Sequence, residues 1–221
     1  MPQVRITDIE LALFGMTSKL GSEWIEALAR QQAHFDTIAH FGYSHGAETL
    51  ALMLKFHPNT IFGIDRDITD AQRTNDELSD LVSESLTALE SAPPDVQTRW
   101  ETSVPWFLKE RRYPKYVEEP DIAQPQRPHQ LPTSCADLSC CSNLLYQILD
   151  SQGAGAVTNA IEEMGRVTVA AGWIVADEPD NGPRQRMAAY FEEAGLEILV
   201  MESVHFKPGL SSTTYFARKQ P

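Results

Sequence analysis

The order of apolar and polar segments over residues 36–65 predicts a strand, a helix and a second strand. Residues 36–41 are apolar enough for a buried strand, and residues 47–56 carry apolar side chains at helical spacing. A His-Pro-Asn break ends this helix, and residues 60–64 form another short apolar run that leads directly into Asp65. The pattern therefore predicts a βαβ unit.

A glycine turn joins the first strand of this unit to its helix. Gly42 and Gly46 allow the backbone to approach a ligand closely, and the N-terminus of the following helix favours an anionic group. Asp65, at the end of the second strand, can accept hydrogen bonds from both hydroxyls of a ribose. The turn is a poor match to the Gly-x-Gly-x-x-Gly loop that binds a dinucleotide. These features favour a single nucleoside as the ligand.

The same turn resembles the first motif of class I S-adenosylmethionine-dependent methyltransferases, an acid-x-Gly-x-Gly-x-Gly turn followed by a helix. Gly42 and Gly46 match the first and third glycines, and Asp65 matches the acid that binds the ribose of the cofactor. Two positions differ from the family: His40 stands where an acid is usual, and Ser44 replaces the middle glycine. Losing that acid removes a contact to water or to the methionine amine of the cofactor.

Later segments follow the order of elements in this family as far as residue 219. Residues 136–146 resemble its fourth strand and the helix after it, and residues 162–179 resemble its next helix, turn and fifth strand. Residues 191–219 resemble its closing helix and last two strands. The resemblance implies a single domain over residues 1–221 with a Rossmann-like α/β/α sandwich, in which helices cover both faces of a seven-stranded, mostly parallel sheet.

One segment is longer than a simple connection between elements requires. Residues 95–120 are rich in aromatic side chains, and a structureless loop of that length is uncommon in a compact domain. We expect an inserted helical lid there, with a helix over residues 96–112 that is interrupted near Pro105. A satellite core beneath the insertion is the alternative. The third strand is expected within residues 120–126.

Two further helices have recognisable starts. Ser22 is a candidate N-cap for a helix over residues 22–30, with Trp24 and Leu28 on its buried face. In the family, such a helix packs near the mouth of the cofactor site. Residues 69–72, with the sequence Thr-Asp-Ala-Gln, fit a capping box for a later helix.

The resemblance implies S-adenosyl-L-methionine as the cofactor. In the family, an Asp usually follows the third strand and accepts the adenine amino group. Counting back from the fourth strand puts Arg127 there, and an Arg side chain cannot accept a hydrogen bond. Backbone groups around His129 are the expected substitute. The implied cofactor-binding residues are Gly42, Tyr43, Ser44, Gly46, Asp65, Arg66, His129 and Ser142.

The candidate residues for methyl transfer are few, because transfer from a sulfonium requires mainly alignment of the acceptor and exclusion of water. Tyr146 and His205 are the candidate catalytic groups. Small-molecule methyltransferases often present an aromatic or His after the fourth strand, and His205 ends the predicted sixth strand at the ligand edge. A buried structural Tyr and an exposed loop His are the alternatives. The candidate substrate-binding residues are Trp24, Trp106, Tyr113, Tyr146 and Glu178.

The charge balance limits the partners of this protein. Acidic residues outnumber Lys and Arg by 31 to 18, which gives a net charge of −13 and a pI near 4.8. Such a surface repels phosphate backbones, so nucleic acid is not expected as a partner. No apolar stretch approaches the ~20 residues of a membrane-spanning helix, and the three cysteines lack zinc-ligand spacing. We expect a cytoplasmic protein without a membrane or metal site, and leave open a homodimer or another protein partner.

Three functions are compatible with this pattern. The first is a small-molecule methyltransferase, with O-methylation of a hydroxylated aromatic or apolar acceptor held under residues 95–120. The Asn-Leu-Leu-Tyr sequence at residues 143–146 favours a small molecule, since it lacks the Asn-Pro-Pro-Tyr pattern of enzymes that methylate amino groups of nucleic acids and proteins. The second is a methyltransferase-like cofactor-binding or partner subunit without methylation activity, which His40, Ser44 and Arg127 favour. The third is another reaction, such as a cyclisation, assisted by the positive charge of the cofactor.

Overall fold

The computed structural model describes residues 23–32, 34–43, 46–90, 92–103, 110–119, 121–124, 130–179, 184–207 and 210–219. The expectations for Ser22, Ser44, Pro105, Trp106, Arg127 and His129 lie outside these residues. The helices are α1 (Glu23–Gln31), α2 (Ala47–Phe56), α3 (Thr69–Leu89), α4 (Pro94–Ser103), α5 (Leu144–Gln152), α6 (Ala154–Val167) and α7 (Arg184–Glu193). The strands are β1 (Thr37–Phe41), β2 (Thr60–Asp65), β3 (Lys115–Glu118), β4 (Ala136–Ser142), β5 (Thr168–Pro179), β6 (Glu197–Lys207) and β7 (Leu210–Arg218).

The seven strands form one sheet in the order β3-β2-β1-β4-β5-β7-β6. Only β7 runs antiparallel to its neighbours, β5 and β6, and the other adjacent strands pair in parallel. Helices cross between parallel strands and must pack on the faces of the sheet, because such a crossover cannot be made by a tight turn. The predicted α/β/α sandwich with a mostly parallel seven-stranded sheet is confirmed.

Successive side chains of a strand lie on opposite faces of the sheet, and the structure has a hydrophobic cluster on each face. The first cluster joins Leu28 of α1 and Leu50 of α2 to the sheet. The second joins Ile161 of α6 and Phe191 of α7 to the opposite face. Burial of each such side chain stabilises the fold by roughly 1.5–3 kcal/mol. The predicted burial of Trp24 and Leu28 is confirmed, and both neighbouring cysteines of β4 are buried in the core as well.

The start of α3 differs from the expected capping box. The N-cap position is Ile68, and no side chain at that position closes the first turn. Instead, the Asp67 carboxylate accepts a hydrogen bond from the Thr69 amide at 2.9 Å. The prediction that Thr69 caps the helix is therefore wrong, because an Asp two residues earlier already satisfies one of the free amides.

The third strand is also displaced from its predicted position. β3 is Lys115–Glu118, and its residues pair in parallel with β2 from Phe62 to Asp65. It is an edge strand of four residues in which the two central side chains are only half-buried, so it lacks a strong hydrophobic pattern. The prediction of a third strand within residues 120–126 is wrong. Part of the segment 95–120 that was expected to form a lid is therefore sheet.

No helix in the described part of the chain has the length and apolar character that crossing a bilayer requires.

Two tyrosines fill the space between β2, β3 and the glycine turn. The rings of Tyr43 and Tyr116 lie 4.7 Å apart between centroids. Both rings press against Gly63 of β2, where a Cβ atom would come within 2.6 Å of Tyr116 and 2.9 Å of Tyr43. A side chain at residue 63 therefore competes directly with this aromatic pair.

Replacing Gly63 by Ala should destabilise the protein by about 1–3 kcal/mol, because the ring of Tyr116 must move to admit the methyl group. Gly155→Ala in α6 is the matched control. A Cβ atom there meets nothing within 4 Å, and Ala is the better helix former. Urea denaturation of the two variants checks the expectation. Equal stability of Gly63→Ala and wild type would contradict the packing described.

Candidate functional site

A cleft of about 630 Å³ opens at the carboxyl ends of β1, β2 and β4. The chain leaves β1 toward β2 on one side, and β4 pairs with the other side of β1, so the crossovers diverge at this point. Open parallel sheets bind ligands in the crevice that such a divergence creates. The cleft is lined by Gly42, Ile64, Asp65, Arg66, Asp67, Asp70, Glu119, Asp121, Ile122, Ser142, Leu144, Gln147, Ile148, Ser151 and Gln152.

The two glycines of the turn have left-handed backbone conformations. Gly42 has φ 69°, and its amide donates to the Ile64 carbonyl at 2.7 Å. A Cβ atom at Gly42 would lie 3.0 Å from the side chain of Leu144, which also lines the cleft. Gly46 has φ 79° and begins α2, and a Cβ there would lie 2.5 Å from the Tyr116 hydroxyl. Both positions favour glycine for conformation and for space.

The acid that ends β2, Asp65, lines the cleft. Asp65 is half-buried, and its Oδ1 accepts a hydrogen bond from the Arg66 amide at 2.7 Å. Arg66, Asp67 and Asp70 line the cleft beside it. A ligand in this part of the cleft would therefore meet several carboxylates and the guanidinium of Arg66.

Four acidic residues of the cleft were not predicted from the sequence: Asp67 and Asp70, which follow β2, and Glu119 and Asp121, which follow β3. Glu119 follows β3, and its amide donates to the Asp65 carbonyl at 2.8 Å, which holds it beside the end of β2. Asp121 accepts the Ala123 amide at 3.0 Å and the Gln124 side chain at 2.9 Å. Because β3 was expected within residues 120–126, the position after this strand was assigned to Arg127. The Glu-Glu-Pro-Asp sequence at residues 118–121 was the signal that could have located Glu119 and Asp121.

The far wall of the cleft comes from β4 and α5. Ser142 ends β4, and Leu144, Gln147 and Ile148 lie along the first turns of α5. Ser142 was predicted as a cofactor-binding residue, and the structure brings it into one cleft with Gly42, the glycine of the turn.

Glu178 does not line the cleft, although it ends β5 at the same edge of the sheet. Its side chain is 3% exposed. Its Oε1 accepts the Leu145 amide and its Oε2 the Tyr146 amide, each at 2.9 Å. Both oxygens thus cap the N-terminus of α5, where free amides and the helix dipole stabilise a carboxylate. This arrangement gives Glu178 a structural role in place of the expected contact with substrate.

Other predicted residues lie around the cleft without lining it. Tyr146 is half-buried on α5, and Tyr113 packs against the cluster that contains Leu28. Tyr43 is buried against the ring of Tyr116. His205 pairs with Ser211 near the carboxyl end of β6, and its side chain is not described. The structure therefore gathers the cofactor-type residues into one cleft more fully than the substrate-type residues.

A buried polar network lies next to this cleft on the face covered by α1 and α2. The Trp24 indole N–H donates to Glu48 Oε1 at 3.3 Å, and His40 Nε2 lies 3.5 Å from Glu48 Oε2. The other ring nitrogen of His40 lies 2.9 Å from the Thr49 hydroxyl. Burial acts to raise the pKa of Glu48, but His40, Trp24 and the Ser142 hydroxyl together lower it below its ordinary value. Glu48 is therefore charged at neutral pH.

Among the described residues, no group of three His, Cys, Asp or Glu side chains is arranged to hold a metal ion.

Solved structures with this fold match the chain over most of its length, whereas no protein-family model and no curated protein sequence matches it. N-methyltransferase NodS from Bradyrhizobium japonicum WM9, in complex with S-adenosyl-L-homocysteine, aligns at a TM-score of 0.57 and 12% identity, over 98% of this chain and 89% of NodS. The [4+2]-cyclase SpnF aligns at 0.58 and 13%, over 90% of this chain and 80% of SpnF.

A third match is the complex between the Haloferax volcanii Trm112 methyltransferase activator and a methyltransferase, at a TM-score of 0.59 and 13% identity over 93% of each chain. The chain has the fold of these proteins, which confirms the architecture that the resemblance to class I methyltransferases implied.

The Glu178 cap predicts a dependence of stability on pH. Burial raises the pKa of Glu178 to about 7, although the amides of Tyr146 and Leu145 act to lower it. The folded state therefore favours the protonated form. The protonated Glu178 carboxyl therefore makes its full contribution to the free energy of unfolding below the unfolded-state pKa of about 4.3. That contribution is lost as the pH rises through about 7.

We expect the free energy of unfolding of the wild type to fall by about 3 kcal/mol relative to Glu178→Gln between pH 4.5 and pH 8. The Gln side chain is uncharged throughout, so its own cost is the same at every pH. Urea denaturation at several pH values measures this difference, and Glu162→Gln on the exposed side of α6 is the control. Parallel curves for wild type and Glu178→Gln would show that this carboxyl does not titrate as described.

Proposed function

We propose that this protein is an S-adenosylmethionine-dependent methyltransferase that acts on a small molecule. One observation carries the proposal: the glycine turn, the acid that ends β2 and the residue that ends β4 line a single cleft at the divergence of the crossovers. Gly42, Asp65 and Ser142 are the residues concerned. Ligands of open parallel sheets bind at this position.

The residues of the cleft fit an adenosine-containing cation. Asp65 is proposed to accept the ribose hydroxyls, and Glu119 or Asp121, rather than the region of Arg127, to accept the adenine amino group. Ile122 supplies an apolar surface for the base. The carboxylates disfavour a pyrophosphate, since like charges repel, and favour the positively charged cofactor. When bound, that cofactor supplies an electrophilic methyl group, and the chain orients the acceptor and excludes water.

The acceptor is proposed to be a small hydroxylated molecule that is aromatic or apolar. The Asn-Leu-Leu-Tyr sequence at residues 143–146 supports a small molecule, and Tyr146 and His205 at the carboxyl edge suit a hydroxyl. The proposed setting is the cytoplasm. NodS, which shares the fold, is an N-methyltransferase, so an amine is the acceptor class to test beside hydroxyls.

A second candidate is a methyltransferase-like subunit without methylation activity. The observation that favours it is His40, which is fully buried where the family usually has an acid. One of the structures that this chain resembles is a methyltransferase in complex with the Trm112 activator, which supports a protein partner. The cyclase SpnF, with the same fold, supports a third use of the cofactor site.

Isothermal titration calorimetry with S-adenosylmethionine tests the cofactor site directly. We expect wild type to bind at micromolar concentration and Asp65→Asn to bind at least 10-fold more weakly, because an amide cannot accept from two hydroxyls as a carboxylate does. Asp80→Asn, an exposed position on α3, should bind as the wild type does. Absence of binding by wild type at millimolar ligand would overturn the proposal.

Transfer of a labelled methyl group to a panel of small hydroxylated and amine acceptors then separates the candidates. Transfer that depends on Asp65 supports the enzyme. Cofactor binding without transfer to any acceptor, together with a stable complex with another protein, supports the subunit.

A further inference from the structure

Glu48 is an ionised side chain that is almost enclosed by neutral donors. Its side chain is 14% exposed and receives the indole N–H of Trp24 and the hydroxyl of Ser142. His40 Nε2 lies 3.5 Å away, with no closer hydrogen-bond partner for that nitrogen among the described residues. A carboxylate removed from water in this way is costly unless donors or a positive charge compensate for the lost hydration.

The position of Glu48 links this carboxylate to the cleft. It lies in the first turn of α2, two residues after Gly46, and the helix N-terminus there also favours negative charge. Ser142, which donates to Glu48, is itself a lining residue of the cleft. The Glu48 carboxylate thus lies next to the part of the cleft wall that Ser142 forms.

His40 lies between Thr49 and Glu48. Its Nδ1 lies 2.9 Å from the Thr49 hydroxyl, and in the tautomer in which that hydroxyl donates to Nδ1, the ring proton is on Nε2, 3.5 Å from Glu48 Oε2. Trp24 and Ser142 donate to the Glu48 carboxylate, and His40 is the third polar side chain beside it. Three elements of the fold, α1, β1 and β4, fix its position.

We propose that Glu48 holds the positive charge at the amino-acid end of the cofactor, and that His40 is a positioning residue for it. The proposal rests on the function proposed above. The last two residues of β1 are His40 and Phe41, so this strand ends without a carboxylate. Helix α2 supplies a carboxylate, Glu48, from its first turn. The occupant is a cation, either the ammonium or the sulfonium of the cofactor, since both lie at that end of the molecule.

Three ligands separate these charges from the rest of the cofactor. S-adenosylmethionine carries the ammonium and the sulfonium, S-adenosylhomocysteine carries the ammonium only, and 5′-methylthioadenosine carries neither. We expect Glu48→Gln to weaken binding of S-adenosylmethionine by about 10- to 100-fold, as loss of a charge-assisted hydrogen bond does. Binding of 5′-methylthioadenosine should stay within about twofold of the wild type.

The homocysteine compound identifies the cation. If its affinity falls by the same factor as that of S-adenosylmethionine, Glu48 holds the ammonium; if it is unchanged, Glu48 holds the sulfonium. Equal loss of affinity for all three ligands would overturn the proposal, because it would show a structural defect of the cleft. Unchanged affinity for S-adenosylmethionine would overturn it as well. Glu162→Gln, exposed on α6, is the charge-matched control.

The role of His40 has its own matched pair of variants. In His40→Gln the side-chain amide reaches the position of Nε2 and can still donate to Glu48, whereas His40→Asn reaches only the position of Nδ1 near Thr49. We expect His40→Gln to keep the wild-type ratio of affinities for S-adenosylmethionine and 5′-methylthioadenosine. His40→Asn should lower that ratio several-fold. An equal ratio in both variants would overturn the positioning role.

These measurements also separate failure of this proposal from failure of the proposed function. If wild type binds none of the three ligands, the cofactor assignment fails. If wild type binds and Asp65→Asn weakens all three, but Glu48→Gln weakens none, the cofactor assignment stands and only the role of Glu48 is overturned.

Discussion

The site depends on the parallel pairing of β1 with a strand on each side. β2 pairs with β1 from residue 37 to 41, and β4 pairs with the opposite edge of the same strand. The chain leaves β1 toward β2 on one side, and β4 lies on the other side, so the connections diverge at the carboxyl end of β1. The cleft is the space left by that divergence, and Gly42 packs so closely against Leu144 in its wall that a Cβ atom at residue 42 would lie 3.0 Å from that side chain.

The carboxylates around this opening differ in their surroundings, and the surroundings decide the role of each one. Glu178 is held by the amides at the start of α5 and stabilises the scaffold. Asp65 and Asp121 line the cleft. Glu48 lies between these cases, enclosed by donors yet connected to the cleft through Ser142. The same residue type therefore contributes to helix capping and to the lining of the cleft, and we propose charge recognition as the role of Glu48.

Local patterns predicted most of the framework because helices and strands with a buried face carry a periodic hydrophobic signal. The βαβ unit, β4 with its cysteines, and α1 with its buried Trp24 all have that signal, and all were placed correctly. β3 lacks it, since an edge strand of four residues buries little apolar surface. Because β3 was misplaced, Glu119 and Asp121 were not predicted as residues of the cleft. Their position beside the cleft follows from the pairing of β3 with β2.

The sequence alone was sufficient for the fold class, for the glycine turn and for the acid at the end of β2, because each depends on residues close together in the chain. Burial and partnership depend on residues far apart, and only the tertiary structure settled them. Glu178 and Tyr146 are 32 residues apart and are joined by a hydrogen bond, and Trp24 and Glu48 are joined across 24 residues. The packing of helices on the sheet decides which acids face the cleft and which are enclosed. Hydrophobic periodicity and composition do not reveal this, because they do not depend on neighbours that are distant in the chain.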